Sequence, residues 1–421
     1  MKKLSLRIVN LGLISIMDQG FFSGTNFFVS LLLARWLSSD DYGTFSVLFS
    51  FFLLISGIYV SFLLEPLSIF GSKENHNKHN YFGTILQLHY FLSIIIFIGY
   101  LVGYYVGSFS QISTSVIAVF CSPFILNFWL VRRRQYSLLM PKKALIKSMV
   151  YSVLSLGILF LFYINHILSS SSYFVILGIA SIMICIPDFR YLFSKNKELL
   201  FQTITQNWNY GSWIALAGIL QWTSTQIYTV WIANLLSLSD TAGFRAIQNF
   251  AQPFEQISVG LTQFLLPWFS NELSQKDPKS VYKKLPLVSV AIALVGIVYL
   301  ITVLLLQNQI SDYIYKDRYI DYLWLFPILL SVPIVLSLSQ GAQIGTRIME
   351  KSKYLLYAYS LSSIFTLLIG PILINQLGLM GAALGRILSA SIYSLSISII
   401  FLYKRYKDLN HGSEKNISTG C

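Results

Sequence analysis

The sequence predicts an all-α polytopic membrane protein: about twelve transmembrane helices in two pseudo-symmetric six-helix bundles with a central cavity. Three observations carry that prediction. The 421 residues are 55% hydrophobic and 15% aromatic but only 11% charged, with a mean hydropathy of +0.64, whereas soluble domains carry about 25% charged residues. Apolar runs of roughly 20 residues, long enough to cross the hydrocarbon of a bilayer, recur along the whole chain. Finally, Ala34-Arg-Trp-Leu37-Ser38 with Asp41, Gly43 and Phe45 returns as Ala233-Asn-Leu-Leu236-Ser237 with Asp240, Gly243 and Phe244, and Phe62-Leu-Leu-Glu-Pro66 returns as Phe264-Leu-Leu-Pro267. The chain reads as two related halves, 1–200 and 201–421.

The expected spans of the first half are 10–36, 43–68, 82–107, 112–131, 144–164 and 173–192. Lys2, Lys3 and Arg7 ahead of an apolar run look like the start of a signal peptide, but Asp18 interrupts the run and no small-residue cleavage site follows, so the first span is read as retained. Ser15, Gln19, Ser23, Asn26 and Ser30 fall on one face of it at 100° per residue. Arg35 at its outer end is placed to pair with Asp40 or Asp41, and Glu65 and Arg190 to reach the cytoplasmic surface. His89 in the third span and His166 in an outer loop stand alone without metal-ligand spacing. Cys121 and Cys185 lie inside apolar segments and Cys421 ends the chain, so no disulfide framework is implied.

The second half is read as 209–235, 243–270, 285–307, 322–345, 354–375 and 380–403. In its first span Gln221, Ser224, Thr225, Tyr228 and Thr229 follow helical spacing, and in its second Arg245, Gln248, Asn249, Gln252, Gln256 and Gln263 share a face with Glu255 at the edge. An unpartnered buried amide or hydroxyl costs roughly 2–7 kcal/mol, so such faces either bond to one another or line water. Small-residue pairs, Gly20 with Gly24, Gly341 with Gly345 and Gly381 with Gly385, are assigned to close helix packing.

Of the 30 lysines and arginines, 25 fall in segments on the side of the N-terminus, against Arg35, Lys316 and Arg318 on the other, which puts both termini in the cytoplasm. The net charge of +13 is therefore spread between apolar runs, and nucleic acid is excluded as a partner. No nucleotide-binding P-loop, G-x-S-x-G or H-E-x-x-H motif is present, and the longest outer loop, near Gln307 to Asp321, is too small for a catalytic domain. The chain is read as a transporter, not an enzyme, with no cofactor and no metal.

Charge inside the spans is the sharpest signal, because an ionisable group there costs about 2.5–3.5 kcal/mol or more. The candidate cavity residues are Arg245, Arg386, Gln248, Asn249, Gln252, Gln256, Gln221, Thr225 and Asn26, with Asp18 and Glu255 as candidate ion-coupling groups. Arg245 is read as contacting an anion in preference to serving in a structural pair. For Arg386 both readings stand, since Gly385 beside it suggests tight packing, and Asp18 is equally readable as a hydrogen-bonded structural carboxylate.

The hairpin from Asp18-Gln-Gly through Leu31-Leu-Leu-Ala-Arg-Trp-Leu-Ser and Asp41-Tyr-Gly to Leu64-Glu-Pro66 resembles the bacterial O-antigen and polysaccharide flippases. So do Ala242-Gly-Phe-Arg245 with Asn249 and Pro253, and Gly378-Leu-Met-Gly-Ala-Ala-Leu-Gly385. The resemblance implies the fold of the multidrug, oligosaccharidyl-lipid and polysaccharide exporter superfamily, in the bacterial cytoplasmic (inner) membrane. It implies translocation of an undecaprenyl-diphosphate-linked oligosaccharide from the inner to the outer leaflet by alternating access, other polysaccharide-assembly membrane proteins as partners, and cationic residues in the central cavity, for which Arg245 and Arg386 are the positions. An ion-coupled multidrug exporter of the same architecture is the competing reading. Its cavity should be apolar and acidic, which the arginine and glutamine stripe argues against.

Overall fold

A computed structural model describes the backbone of residues 2–71, 78–105, 112–193, 197–275, 278–349 and 353–418. Among them there is no strand: the chain is a multi-pass, all-helical membrane protein. It divides into two compact units, Met1–Ile219 and Leu220–Cys421.

The first unit comprises α1 (Lys2–Trp36), α2 (Ser39–Tyr59) continuing through a π-helical turn (Val60–Leu64) into α3 (Glu65–Ile69), α4 (Lys78–Tyr105), α5 (Ile112–Ser137), α6 (Pro141–Ile164), α7 (Ser172–Cys185) with a 3-10 extension (Ile186–Phe193), and most of α8 (Lys197–Thr225). α1 packs along α6 because α6 presents Ser148, Ser152 and Ser155, small side chains that let the two backbones approach. Thr25 donates to Ser152 at 2.6 Å, and Phe22 meets the rings of Phe128, Trp129 and Tyr151 around the same contact. Gly20 and Gly24, expected to serve packing, have no neighbour within 4 Å of the place a Cβ would occupy, so the close approach of these two helices rests on the serines of α6.

The second unit holds the end of α8, α9 (Ile227–Leu235), α10 (Leu238–Asn249), α11 (Gln252–Gln275), α12 (Pro278–Leu305), α13 (Gln307–Gln309) with a π turn (Ile310–Tyr315), a 3-10 segment (Ile320–Leu325), α14 (Phe326–Ser337), α15 (Gln340–Ile348) and α16 (Lys353–Ser418). Gly341 and Gly345 sit directly against the Leu285 carbonyl and the Phe401 ring, where a side chain has no room. α16 is two helical stretches joined at Gly378, whose φ of 58° and ψ of −136° suit glycine alone. Gly378→Ala is expected to cost about 1–3 kcal/mol through backbone strain, since nothing crowds the position; a thermal-unfolding comparison in detergent checks it.

The sequence repeat has a structural meaning. Ser38 accepts the Asp41 N–H at 3.1 Å and donates to its carboxylate at 2.6 Å; Ser237 does the same with Asp240 at 2.9 and 2.6 Å. α2 of the first unit and α10 of the second thus start on the same reciprocal cap.

Among the described residues eight segments are long and apolar enough to cross a membrane, and the last, Lys353–Arg405, contains two of the expected spans. Three expected spans, 10–36, 209–235 and 243–270, are not in that set. The first is diluted by Asp18, Gln19 and Asn26, and the other two are broken, leaving α9 and α10 with 9 and 12 residues. These are the spans in which the polar stripes lie.

Candidate functional site

Both breaks in the second unit have local causes. Pro253 has no N–H to offer the Asn249 carbonyl, so α10 stops and α11 restarts two residues on. The Phe250 N–H turns to Ile247, leaving the Ala246 carbonyl to accept from the Tyr315 hydroxyl at 2.9 Å, and the Phe250 carbonyl accepts from Tyr299 at 2.7 Å. Between α8 and α9 the Thr229 N–H turns to Gln226. The Thr225 carbonyl released by that turn accepts from the Arg386 guanidinium. Helix interruptions at membrane depth are tolerated where other groups satisfy the freed backbone, and here a cation and two tyrosines do so.

Arg245 and Arg386 are both buried, 3% and 6% exposed. Arg245 donates to Gln248 at 3.3 Å, and Gln252 to the fully buried Asn249 at 3.4 Å. Arg386 stands within electrostatic reach of Glu255, which favours its charge, and of Arg245, which opposes it. Beside it Tyr228, Ser389 and Thr366 link hydroxyl to hydroxyl at 2.9 and 2.7 Å. A small cavity of about 40 Å³ has Gln221, Thr225, Ser362, Arg386 and Ser389 on one part of its wall and Val332, Leu336, Ala390 and Tyr393 on another. That volume suits one or two waters, each occupying about 30 Å³ in the liquid. The cavity can hold a small polar group beside the Arg386 side chain, with Arg245 within electrostatic reach of Arg386.

The expected single face over 243–270 does not persist, because the break at Phe250 and Ala251 resets the helical phase. Arg245, Gln248 and Asn249 are buried on α10, Gln252 is half-buried, and Gln256 is exposed on α11. The side chain of Gln263 lies outside the described residues.

Asp18 and Asn26 belong to the first unit. Asn26 accepts from the Tyr151 hydroxyl at 3.0 Å. Asp18, with no exposed surface, accepts from Arg132 Nε at 2.8 Å and Nη2 at 2.7 Å, and from the hydroxyls of Tyr136 and Ser148. Arg132 also donates to Gln19 and lies 4.2 Å over the Phe22 ring. A second buried carboxylate, Asp188, pairs with Lys147 at 2.9 Å and Arg134 at 3.5 Å. Sequence reasoning placed Arg132 and Arg134 only as cytoplasmic loop charges. Nothing local to Asp18 marks Arg132, which lies 114 positions away. Among the described residues no three His, Cys, Asp or Glu side chains converge as a metal site.

No protein-family model and no curated protein matches the chain. Solved structures do. A multidrug-resistance MATE-family transporter of the MOP superfamily, inward-facing, superposes with a TM-score of 0.73 over 94% of this chain and 98% of its own, at 9% identity. The lipid II flippase MurJ, inward closed, gives 0.69 over 91% of this chain and 86% of its own, at 14% identity. The chain shares the fold of these two proteins. The MATE multidrug transporter DinF-BH shows the same fold at TM-score 0.66 over 94% of this chain and 95% of its own, at 15% identity. At these identities the likeness is one of fold, and it spans MATE multidrug transporters and a lipid II flippase alike.

Proposed function

We propose that the chain is a flippase that carries an undecaprenyl-diphosphate-linked oligosaccharide, an O-antigen or related polysaccharide repeat unit, across the cytoplasmic membrane by alternating access. One observation carries the reading: Arg245 and Arg386 are buried within electrostatic reach of each other, and Arg386 lines a small cavity with Gln221, Thr225 and the hydroxyls of Ser362 and Ser389. Two cations within electrostatic reach of each other in low dielectric, with Glu255 near Arg386, set a positive field that favours an entering anion. A diphosphate or an acidic sugar fits, because guanidinium offers planar, bidentate hydrogen bonds to phosphate and carboxylate oxygens. Hydroxyls and amides replace the water shell of the sugars, and the lipid chain never needs to leave hydrocarbon. The fold shared with MurJ, a lipid II flippase, supports the same direction.

The second reading, an ion-coupled multidrug exporter, is favoured by the MATE neighbours. It needs an acidic site open to a lipophilic cation. Asp18 is already occupied by Arg132, Tyr136 and Ser148, which leaves Glu255 for that role. A deletion strain separates the two: accumulation of lipid-linked repeat units on the cytoplasmic face, with unchanged drug susceptibility, supports the flippase, and the reverse pattern supports the exporter.

Both termini are assigned to the cytoplasm. Cys421, outside the described residues, provides a test in a chain whose other cysteines, Cys121 and Cys185, are replaced by Ala. A membrane-impermeant maleimide is expected to react only after the cells are permeabilised; labelling of intact cells would reverse the orientation.

A further inference from the structure

α10 has 12 residues, carries Arg245, Gln248 and Asn249 in its second half, and ends in the break at Phe250 and Ala251. A helix so short, with its final carbonyls released from the helical ladder, does not fix the place of its side chains by itself. Its register is set from outside.

The segment from Ser311 to Tyr322 holds it at two points. Along the first half of α10 the Tyr322 ring lies directly against Gly243, where a side chain would collide, and the Tyr322 hydroxyl donates to the Asp240 carboxylate at 3.2 Å. That carboxylate also accepts from Ser237 in the cap that begins the helix. In the second half the Tyr315 hydroxyl donates at 2.9 Å to the carbonyl of Ala246, the residue next to Arg245. Tyr315 is 1% exposed, and its ring meets Phe250 edge to face at 5.9 Å. Tyr319 stands between the two tyrosines, its ring centroid 5.1 Å from that of Tyr315 and 6.4 Å from that of Tyr322.

The backbone of this segment is uncommon. Lys316 and Asp317 have φ of 52° and 58°, a region that residues with side chains rarely enter, and here two enter it in succession. They end the π turn and bring Tyr319 back against Tyr315. Asp317 closes the turn: its N–H donates to the Ser311 carbonyl at 3.0 Å and its carboxylate accepts from the Ser311 hydroxyl at 3.0 Å. Such a backbone persists only where its surroundings over-determine it, and it collects where residues must be held in place.

We infer that Tyr315 is a positioning residue for Arg245: its hydroxyl fixes the backbone one residue on, and with it the guanidinium that meets the anionic head of the cargo. The inference rests on the anion-contacting reading of Arg245 above. Guanidinium contacts to phosphate are directional, so their strength depends on where the backbone holds the fork. Tyr315 touches no cargo and acts through Arg245 alone.

The test uses the full-length protein in vesicles with a fluorescent undecaprenyl-diphosphate N-acetylglucosamine, whose transfer between leaflets is measured against its mole fraction. Tyr315→Phe keeps the ring and removes only the hydroxyl. It is expected to raise the half-saturating mole fraction about tenfold, the worth of one buried hydrogen bond, with the maximal rate within about twofold of wild type. Tyr299→Phe removes the other tyrosine bond to the same break, at the Phe250 carbonyl, and is expected to leave both values unchanged. In an Arg245→Lys background Tyr315→Phe is expected to add less than about twofold, because the group it positions is gone. An equal effect of Tyr299→Phe, a tenfold effect that persists beside Arg245→Lys, a fall in maximal rate alone, or no effect of Tyr315→Phe overturns the assignment and leaves the flippase reading standing. Should Tyr315→Phe not fold, Tyr322→Phe, which frees the other end of α10, is read by the same criteria. A wild-type chain that does not transfer the lipid fails the flippase reading itself, and this inference falls with it.

Discussion

Asp18→Ala is expected to destabilise the protein by about 3–5 kcal/mol, because removing one partner of a buried ion pair strands the other. The stranded group is Arg132, which would keep Gln19 and the Phe22 ring but lose both bonds to carboxylate. Tyr136 and Ser148 lose their acceptor at the same time. Asp18→Asn, which keeps an acceptor for the hydroxyls but not the charge, is expected to cost about half as much. The double variant Asp18→Ala with Arg132→Met removes both charges and is expected to be more stable than Asp18→Ala alone. Thermal unfolding of the purified proteins orders the four. A cost below about 1 kcal/mol for Asp18→Ala would mark the pair as solvated. The same set speaks to ion coupling: if Asp18→Asn abolishes transport while unfolding at the wild-type temperature, the carboxylate carries an ion and its role is more than structural.

The second large effect is expected at Arg245. Arg245→Glu places a carboxylate beside Gln248 in a buried site that also feels Glu255 through Arg386, and repels a diphosphate. Truncating a buried, hydrogen-bonded charge in an interface costs about 2–5 kcal/mol, so export of the repeat unit is expected to fall by about 30-fold or more. Arg245→Lys keeps the charge and loses the planar fork, and is expected to retain part of the activity. Complementation of a deletion strain, scored by surface polysaccharide and normalised to protein in the membrane, checks both. Export that survives charge reversal unchanged would remove Arg245 from the substrate path.

Much of this fold was legible because its signals are local. Ser38 with Asp41 and Ser237 with Asp240 stand out as a repeated pattern because the cap they form needs only adjacent residues. The kink at Gly378 lies between the spans expected at 354–375 and 380–403, although the helix runs on through it. The breaks were less visible. The expected span 243–270 ran through Pro253, where one break lies, and nothing in the sequence marks Gln226, where the Arg386 side chain stabilises the interruption from another helix. A single helical phase drawn through 243–270 therefore crosses the break, with Arg245, Gln248 and Asn249 buried on α10 and Gln256 exposed on α11. The carboxylate clusters were invisible for the same reason: Arg132 and Lys147 reach Asp18 and Asp188 only through the packing of α5 and α6. Hydropathy found the apolar helices and lost force where polarity was highest, in α1, α8 and α10, because there tertiary partners decide which groups can be buried.

The central claim is that a buried pair of arginines handles the anionic head of a lipid-linked saccharide. It is tested most directly by reconstituting the purified protein in vesicles and measuring leaflet-to-leaflet transfer of a labelled undecaprenyl-diphosphate oligosaccharide. The wild-type chain is expected to transfer it, and Arg245→Glu, correctly folded in the same vesicles, is expected not to. Transfer at equal rates by both proteins, or transport of a cationic dye by a wild-type chain that leaves the saccharide lipid in place, would contradict the account.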